Sequence, residues 1–156
     1  MAADPYLEED SRLLTPEAFD FVLKNELKRA VRSQNFLTLL VLDSAPPDAA
    51  RERTAASREL ARLVSREVRE TDLLSQNEQG SLSVVLLDSD LQNSMRVLDR
   101  LLSRLEHYEF TSPTAIAVGA ACCPTHGADV DSLRRAAETR SLHPRRDSRG
   151  NASNAQ

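Results

Sequence analysis

The chain has 156 residues, with 20 lysines and arginines against 24 acidic side chains and a formal net charge of −4. That length fits one compact domain with a sizeable core, and 28% charged beside 40% hydrophobic residues excludes disorder along the whole chain, as it excludes collagen-like, mucin-like and disulfide-stapled classes. The longest apolar run, around Leu39 to Leu42, is far shorter than the roughly 20 residues of a bilayer span.

The opening residues are acidic and unlike a signal peptide. Cys122 and Cys123 are adjacent, a spacing that rarely closes a disulfide and supplies no metal cage, so a reducing compartment, the cytoplasm, is expected, with no cofactor. The mildly acidic balance gives no support to a nucleic-acid binder.

Residues 1–13 read as a flexible N-terminal segment. Thr15, Pro16 and Glu17 then form a helix start, with a capping hydroxyl, a proline in the first turn and a favourable acid. The helix is expected to reach about Arg32, burying Phe19, Leu23, Leu27, Ala30 and Val31. Phe36 to Leu42 is apolar at almost every position and reads as a central strand covered on both faces, ending at Asp43. Ser44 to Asp48, with Pro46 and Pro47, is expected as a loop, and Leu60, Leu63, Val64 and Val68 mark the buried stripe of a second helix.

Two short strands follow, around Thr71 to Ser75 and Ser81 to Leu87, joined by a polar turn that contains Gly80. A third helix carries Leu91, Met95, Leu98, Leu102 and Leu105 on one face and an exposed ridge of Arg96, Arg100 and Arg104 on another. Ala115 to Ala121 reads as a strand and Asp131 to Arg140 as a short last helix. Residues 14–142 are thus expected as the folded domain and residues 143–156, rich in Arg, Ser, Asn and Gly, as a disordered tail. The element order predicts an α+β fold, a ferredoxin-like or palm-type βαββαβ sandwich with a central antiparallel sheet flanked by helices.

Several segments in this order carry a resemblance: the strand ending Leu42-Asp43, the helix ending Arg69-Glu70-Thr71-Asp72, the hairpin entering Val84 to Leu87, and the strand Ala117 to Ala120 leading to Pro124, His126 and Gly127. Together they resemble the GGDEF family over roughly residues 14–140. The family's typical members are diguanylate cyclases, which join two GTP molecules into cyclic di-GMP across a dimer of palm-like domains. The resemblance implies a hairpin turn bearing the signature, but here that turn reads Glu78, Gln79, Gly80, Ser81 and Leu82. Bulky Glu78 and Gln79 stand where glycines let GTP approach the backbone, and Gly80 and Ser81 where acids would stand. Asp43 matches the family's first metal-binding aspartate, while Ala45 stands where a second commonly lies. Two-metal phosphoryl chemistry needs several oxygen ligands, so Asp43 is expected to be a lone remnant, a loop cap or turn former that holds no metal, and the domain a pseudoenzyme without catalytic residues.

One family site matches by position. An Arg-x-x-Asp motif five residues before the signature, where cyclic di-GMP binds and inhibits, corresponds to Arg69 and Asp72, with Arg100 at the position of a further arginine from the next helix. An arginine fork suits guanine O6 and N7, and a carboxylate suits the opposite edge of the base. The resemblance implies a regulatory domain of bacterial signal transduction that senses cyclic di-GMP, with a protein partner and a homodimer as further expectations. Two other functions stay open: an interaction scaffold that binds no nucleotide, and a residual cyclase. Arg69 and Asp72 also admit a plain reading as a surface ion pair, worth at most about 1 kcal/mol, as do the cysteines as small apolar packing residues and His126 as a turn residue.

Overall fold

Thr15 caps the first helix as its sequence requires, its hydroxyl accepting from the Ala18 N–H at 3.2 Å. In the computed structural model, which describes residues 12–45, 50–110 and 114–140, that helix is α1 (Pro16–Ser33). It is followed by β1 (Leu37–Ala45), α2 (Ala50–Glu67), β2 (Leu73–Gln76), β3 (Leu82–Leu87), α3 (Leu91–His107), β4 (Ala115–Cys123) and α4 (Val130–Thr139). The strands form one sheet in the order β2-β3-β1-β4, antiparallel throughout. This is the expected α+β architecture, two interleaved β-α-β units with helices on both faces.

The alternation of side chains along β1 divides the core in two. Leu40 and Leu42 face α2 and α3, packing with Leu60, Val64, Leu98, Leu101 and Leu102. Leu37, Leu39 and Val41 face α1 and α4, packing with Phe19, Leu23, Leu27 and Leu133. Cys122 and Cys123 are buried and form no disulfide, and burial raises the Cys123 thiol above its ordinary value, with Cys122 adding to the shift. No helix among the described residues is long and apolar enough to cross a membrane.

Several boundaries differ from the sequence expectation. Leu13 is buried in the α2/α3 core, so the ordered domain begins ahead of residue 14. Leu14 bridges β2 beside Ser75, its N–H donating to Leu74 O at 2.8 Å, and so covers an otherwise open sheet edge. Val31 is 50% exposed, because each four-residue step turns about 40° around the helix and Val31 has drifted off the stripe begun at Phe19. Phe36 precedes β1 and is 42% exposed. Ser44 and Ala45 belong to β1, not to a loop, since β4 extends far enough to pair with them through Ile116 and Ala115. β2 starts at Leu73, because Arg69 to Asp72 close a turn in which the Asp72 N–H donates to Arg69 O. Pro46, Pro47 and the expected tail lie outside the described residues.

Candidate functional site

The turn between α2 and β2 is organised by one buried carboxylate. The Asp72 side chain is only 2% exposed. Its Oδ2 accepts from the Arg69 backbone N–H at 2.9 Å and Arg69 Nε at 3.4 Å, and its Oδ1 from Arg69 Nη2 at 3.2 Å and the Leu87 N–H at 3.1 Å. Arg69 Nη2 also donates to Leu87 O at 2.6 Å. The motif therefore ties the end of α2 to the end of β3, which goes beyond a surface ion pair: a buried acid satisfied by several donors is strongly determined by its surroundings.

Arg100 reaches the same place from α3. Arg69, Asp72 and Arg100 line one cavity of about 350 Å³ together with Glu67, Asp88 and Asn93. The two arginine side chains are 59% and 53% exposed, so each guanidinium is accessible from solvent. Arg100 is engaged, however. Its Nε donates to Glu67 Oε1 at 3.1 Å and its Nη2 to Glu67 O at 2.9 Å, while Arg104 Nε lies 3.4 Å from Glu67 Oε2. The expected basic ridge is thus partly a clamp on an acid of α2.

Two participants are absent from the sequence reading. Glu67 shows no signal beyond its place at the end of α2, since its partners lie 33 and more residues away on another helix. Arg12 fell in the segment expected to be flexible. Its guanidinium donates to Arg69 O and Asp72 O, both at 2.6 Å, to Glu70 O at 3.1 Å, and at longer range to Ser65 O and Val68 O. A cation on the last carbonyls of a helix both satisfies them and complements its dipole. Burial pulls the Arg12 guanidinium below its ordinary value, an effect opposed by Asp72 and Glu70.

The opposite end of the hairpin is the turn from Asn77 to Ser81. Asn77 Oδ1 accepts from the N–H groups of Gln79 and Ser81, each at 2.9 Å, and the Gly80 N–H donates to Asn77 O at 3.0 Å. Gly80 takes φ +91°, and a Cβ there would collide with Ser57 Oγ on α2. Gln76 Nε2 fastens the same contact, donating to Ser57 O and Gly80 O. Glu78 and Gln79 are exposed, Ser81 is half-buried and Leu82 is fully buried in the core.

Asp43 is exposed within β1 and pairs through its backbone with Ala117, so it is a strand residue, not the expected loop cap or turn former. Among the described residues, no three His, Cys, Asp or Glu side chains gather at metal-binding separation. His126 sits in the turn after β4, where its Nδ1 accepts from the Cys122 N–H at 2.8 Å. Burial and then Arg140 hold its pKa below the ordinary value, as suits an acceptor nitrogen.

No family model and no curated protein matches the chain. Solved structures do. The chain is similar to the GGDEF domain of YfiN (TpbB) from Pseudomonas aeruginosa, at 19% identity and a TM-score of 0.70, over 85% of this chain and 84% of that one. It is also similar to a microbial GGDEF domain solved for its interaction with cyclic di-GMP, at 18% identity and a TM-score of 0.64, over 86% and 89% of the two chains. A third similarity is to the diguanylate cyclase SiaD, solved in complex with its activator SiaC from P. aeruginosa, at 18% identity and a TM-score of 0.65, over 86% of this chain and 55% of that one. The fold is that of GGDEF domains.

Proposed function

We propose that the chain is a catalytically inactive GGDEF-like regulatory domain that binds cyclic di-GMP through Arg69, Asp72 and Arg100. The observation that carries this reading is their convergence on one solvent-accessible cavity, Arg69 and Asp72 from the α2–β2 turn and Arg100 from α3. Arg69 and Arg100 would take guanine edges or phosphates, and Asp72 holds Arg69 in position from below. A solved GGDEF domain of the same fold interacts with this nucleotide.

The inactive half of the reading rests on the turn at Glu78 to Leu82. It lacks the paired glycines and acids of the signature, and its Gly80 is spent on a contact with Ser57. A cyclic dinucleotide held by one copy offers its second face to arginines of another, so binding would bias a dimer.

Isothermal titration calorimetry with cyclic di-GMP tests the receptor. The expected result is saturable binding that Arg69→Ala abolishes; normal binding by that variant removes the site. Turnover of GTP with magnesium, lost in Asp43→Asn, would instead establish a cyclase. One observation favours a scaffold with no nucleotide site: both Asp72 oxygens are already used within the chain. SiaD, which shares the fold, is solved with a protein activator. Absence of heat and of thermal stabilisation at high nucleotide concentration would favour that reading, with a partner recovered by pull-down.

A further inference from the structure

The Glu67 side chain is 10% exposed and is held by Arg100 and Arg104, which are both more than half exposed. A carboxylate taken so far out of water is stable only with its cations in place. The arrangement takes up part of the binding capacity of Arg100. An arginine recognises a guanine edge or a phosphate by presenting two N–H groups side by side. Here Nε and Nη2, one of the two such forks of the guanidinium, both donate to Glu67, one to its carboxylate and one to its carbonyl. Arg69, across the same cavity, spends Nε and Nη2 on Asp72. The two acids have different standing. Asp72 also accepts from the backbone N–H groups of Arg69 and Leu87 and belongs to the turn itself, whereas the Glu67 carboxylate is held by the α3 side chains Arg100 and Arg104.

We propose that Glu67 is a built-in competitor for the nucleotide: its carboxylate holds the Nε limb of the Arg100 fork in the ligand-free chain, beside the Glu67 carbonyl on Nη2, and a cyclic dinucleotide binds by displacing that carboxylate. This rests on the cyclic di-GMP reading above and adds a residue that sets affinity. Displacement leaves Glu67 with Arg104, which already holds its other oxygen and keeps the carboxylate from being stranded. The same charge repels the phosphates of an incoming ligand, so the site disfavours weakly held anions and answers only to a ligand that also engages Arg69.

Glu67→Gln keeps the side-chain length and a hydrogen-bond acceptor but removes the charge. Calorimetry with cyclic di-GMP on wild type, Glu67→Gln and Arg69→Ala is expected to show tightening in Glu67→Gln by about fivefold to tenfold, the difference between a charged and a neutral hydrogen bond. Melting temperatures of the same proteins show whether the α2–α3 tie is intact. Binding by Glu67→Gln equal to or weaker than wild type, at an unchanged melting temperature, overturns the competitor and leaves the receptor standing. Binding by Glu67→Gln where wild type gives none supports it most strongly. No binding by either overturns both the receptor and the competitor.

Should Glu67→Gln not fold, the wild type still decides. The Arg100 Nε–H resonance must shift as cyclic di-GMP saturates the site, and bound nucleotide with that resonance unmoved overturns the displacement.

Discussion

The two ends of the β2–β3 hairpin are built by different chemistry. At the α2 end, the Asp72 carboxylate gathers side-chain and backbone donors from Arg69 and Leu87, and Arg12 holds the carbonyls behind it. At the turn end, a neutral Asn77 side chain and the positive φ of Gly80 do the folding, and the charged residue there, Glu78, is exposed. The first end is held by ionic hydrogen bonds within the chain, while the second is a tight turn pressed onto Ser57. The contrast shows that one hairpin can be fastened in two ways, by a buried carboxylate at one end and by a neutral side chain with a glycine at the other.

Substitutions break this contrast in a definite order. Asp72→Ala orphans the backbone N–H groups of Arg69 and Leu87 and removes the acid that orients the Arg69 guanidinium, and is expected to cost roughly 3 kcal/mol in urea unfolding, whereas Glu78→Ala or Gln79→Ala changes stability by no more than about 0.5 kcal/mol. Equal effects at the two ends would erase the distinction. Next in size is Gly80→Ala, where a Cβ meets Ser57 Oγ at a φ that side chains rarely adopt. A loss of about 2 kcal/mol is expected, and Ser57→Ala in the same chain restores only the steric part, because the backbone strain remains.

Arg12→Ala uncaps α2 and loosens the Arg69–Asp72 turn from behind. A loss of about 1.5 kcal/mol is expected, with faster hydrogen exchange at the Asp72 N–H, which donates to Arg69 O. Arg12→Lys recovers only part of it, since an ammonium cannot span carbonyls that a planar guanidinium reaches together.

The smallest effect is a pH dependence at the sheet end that bears the cavity, where Cys123 and Leu87 both pair with Leu37. The folded pKa of His126 is depressed, so the unfolded chain binds more protons and stability is full above the unfolded value of about 6.5. It is lost as the pH falls from there through the folded pKa. His126→Asn should flatten that part of a pH series of melting temperatures, and an unchanged slope would assign it to other groups.

Periodicity and capping were enough to read most of the fold. Thr15-Pro16-Glu17, the unbroken apolar run from Leu39 to Leu42 and the polar run around Gly80 are local patterns, and each is answered by a local structure. The spacing of Arg69 and Asp72 before the turn was legible for the same reason, since both lie in one short stretch of chain. Strand ends were less so: β1 runs on through Ser44 and Ala45 only because β4 is long enough to pair with them.

What tertiary structure alone decided is how charges separated along the chain are spent. Arg12 reads as part of an acidic leader until the carbonyls of residues 65 to 72 stand in front of it. Arg100 and Arg104 read as a solvated ridge until α2 delivers Glu67 between them. Local geometry follows from neighbours in sequence, which periodicity records. An ion pair forms between groups that folding brings together, and its worth depends on the water they lose, which no stretch of sequence encodes by itself.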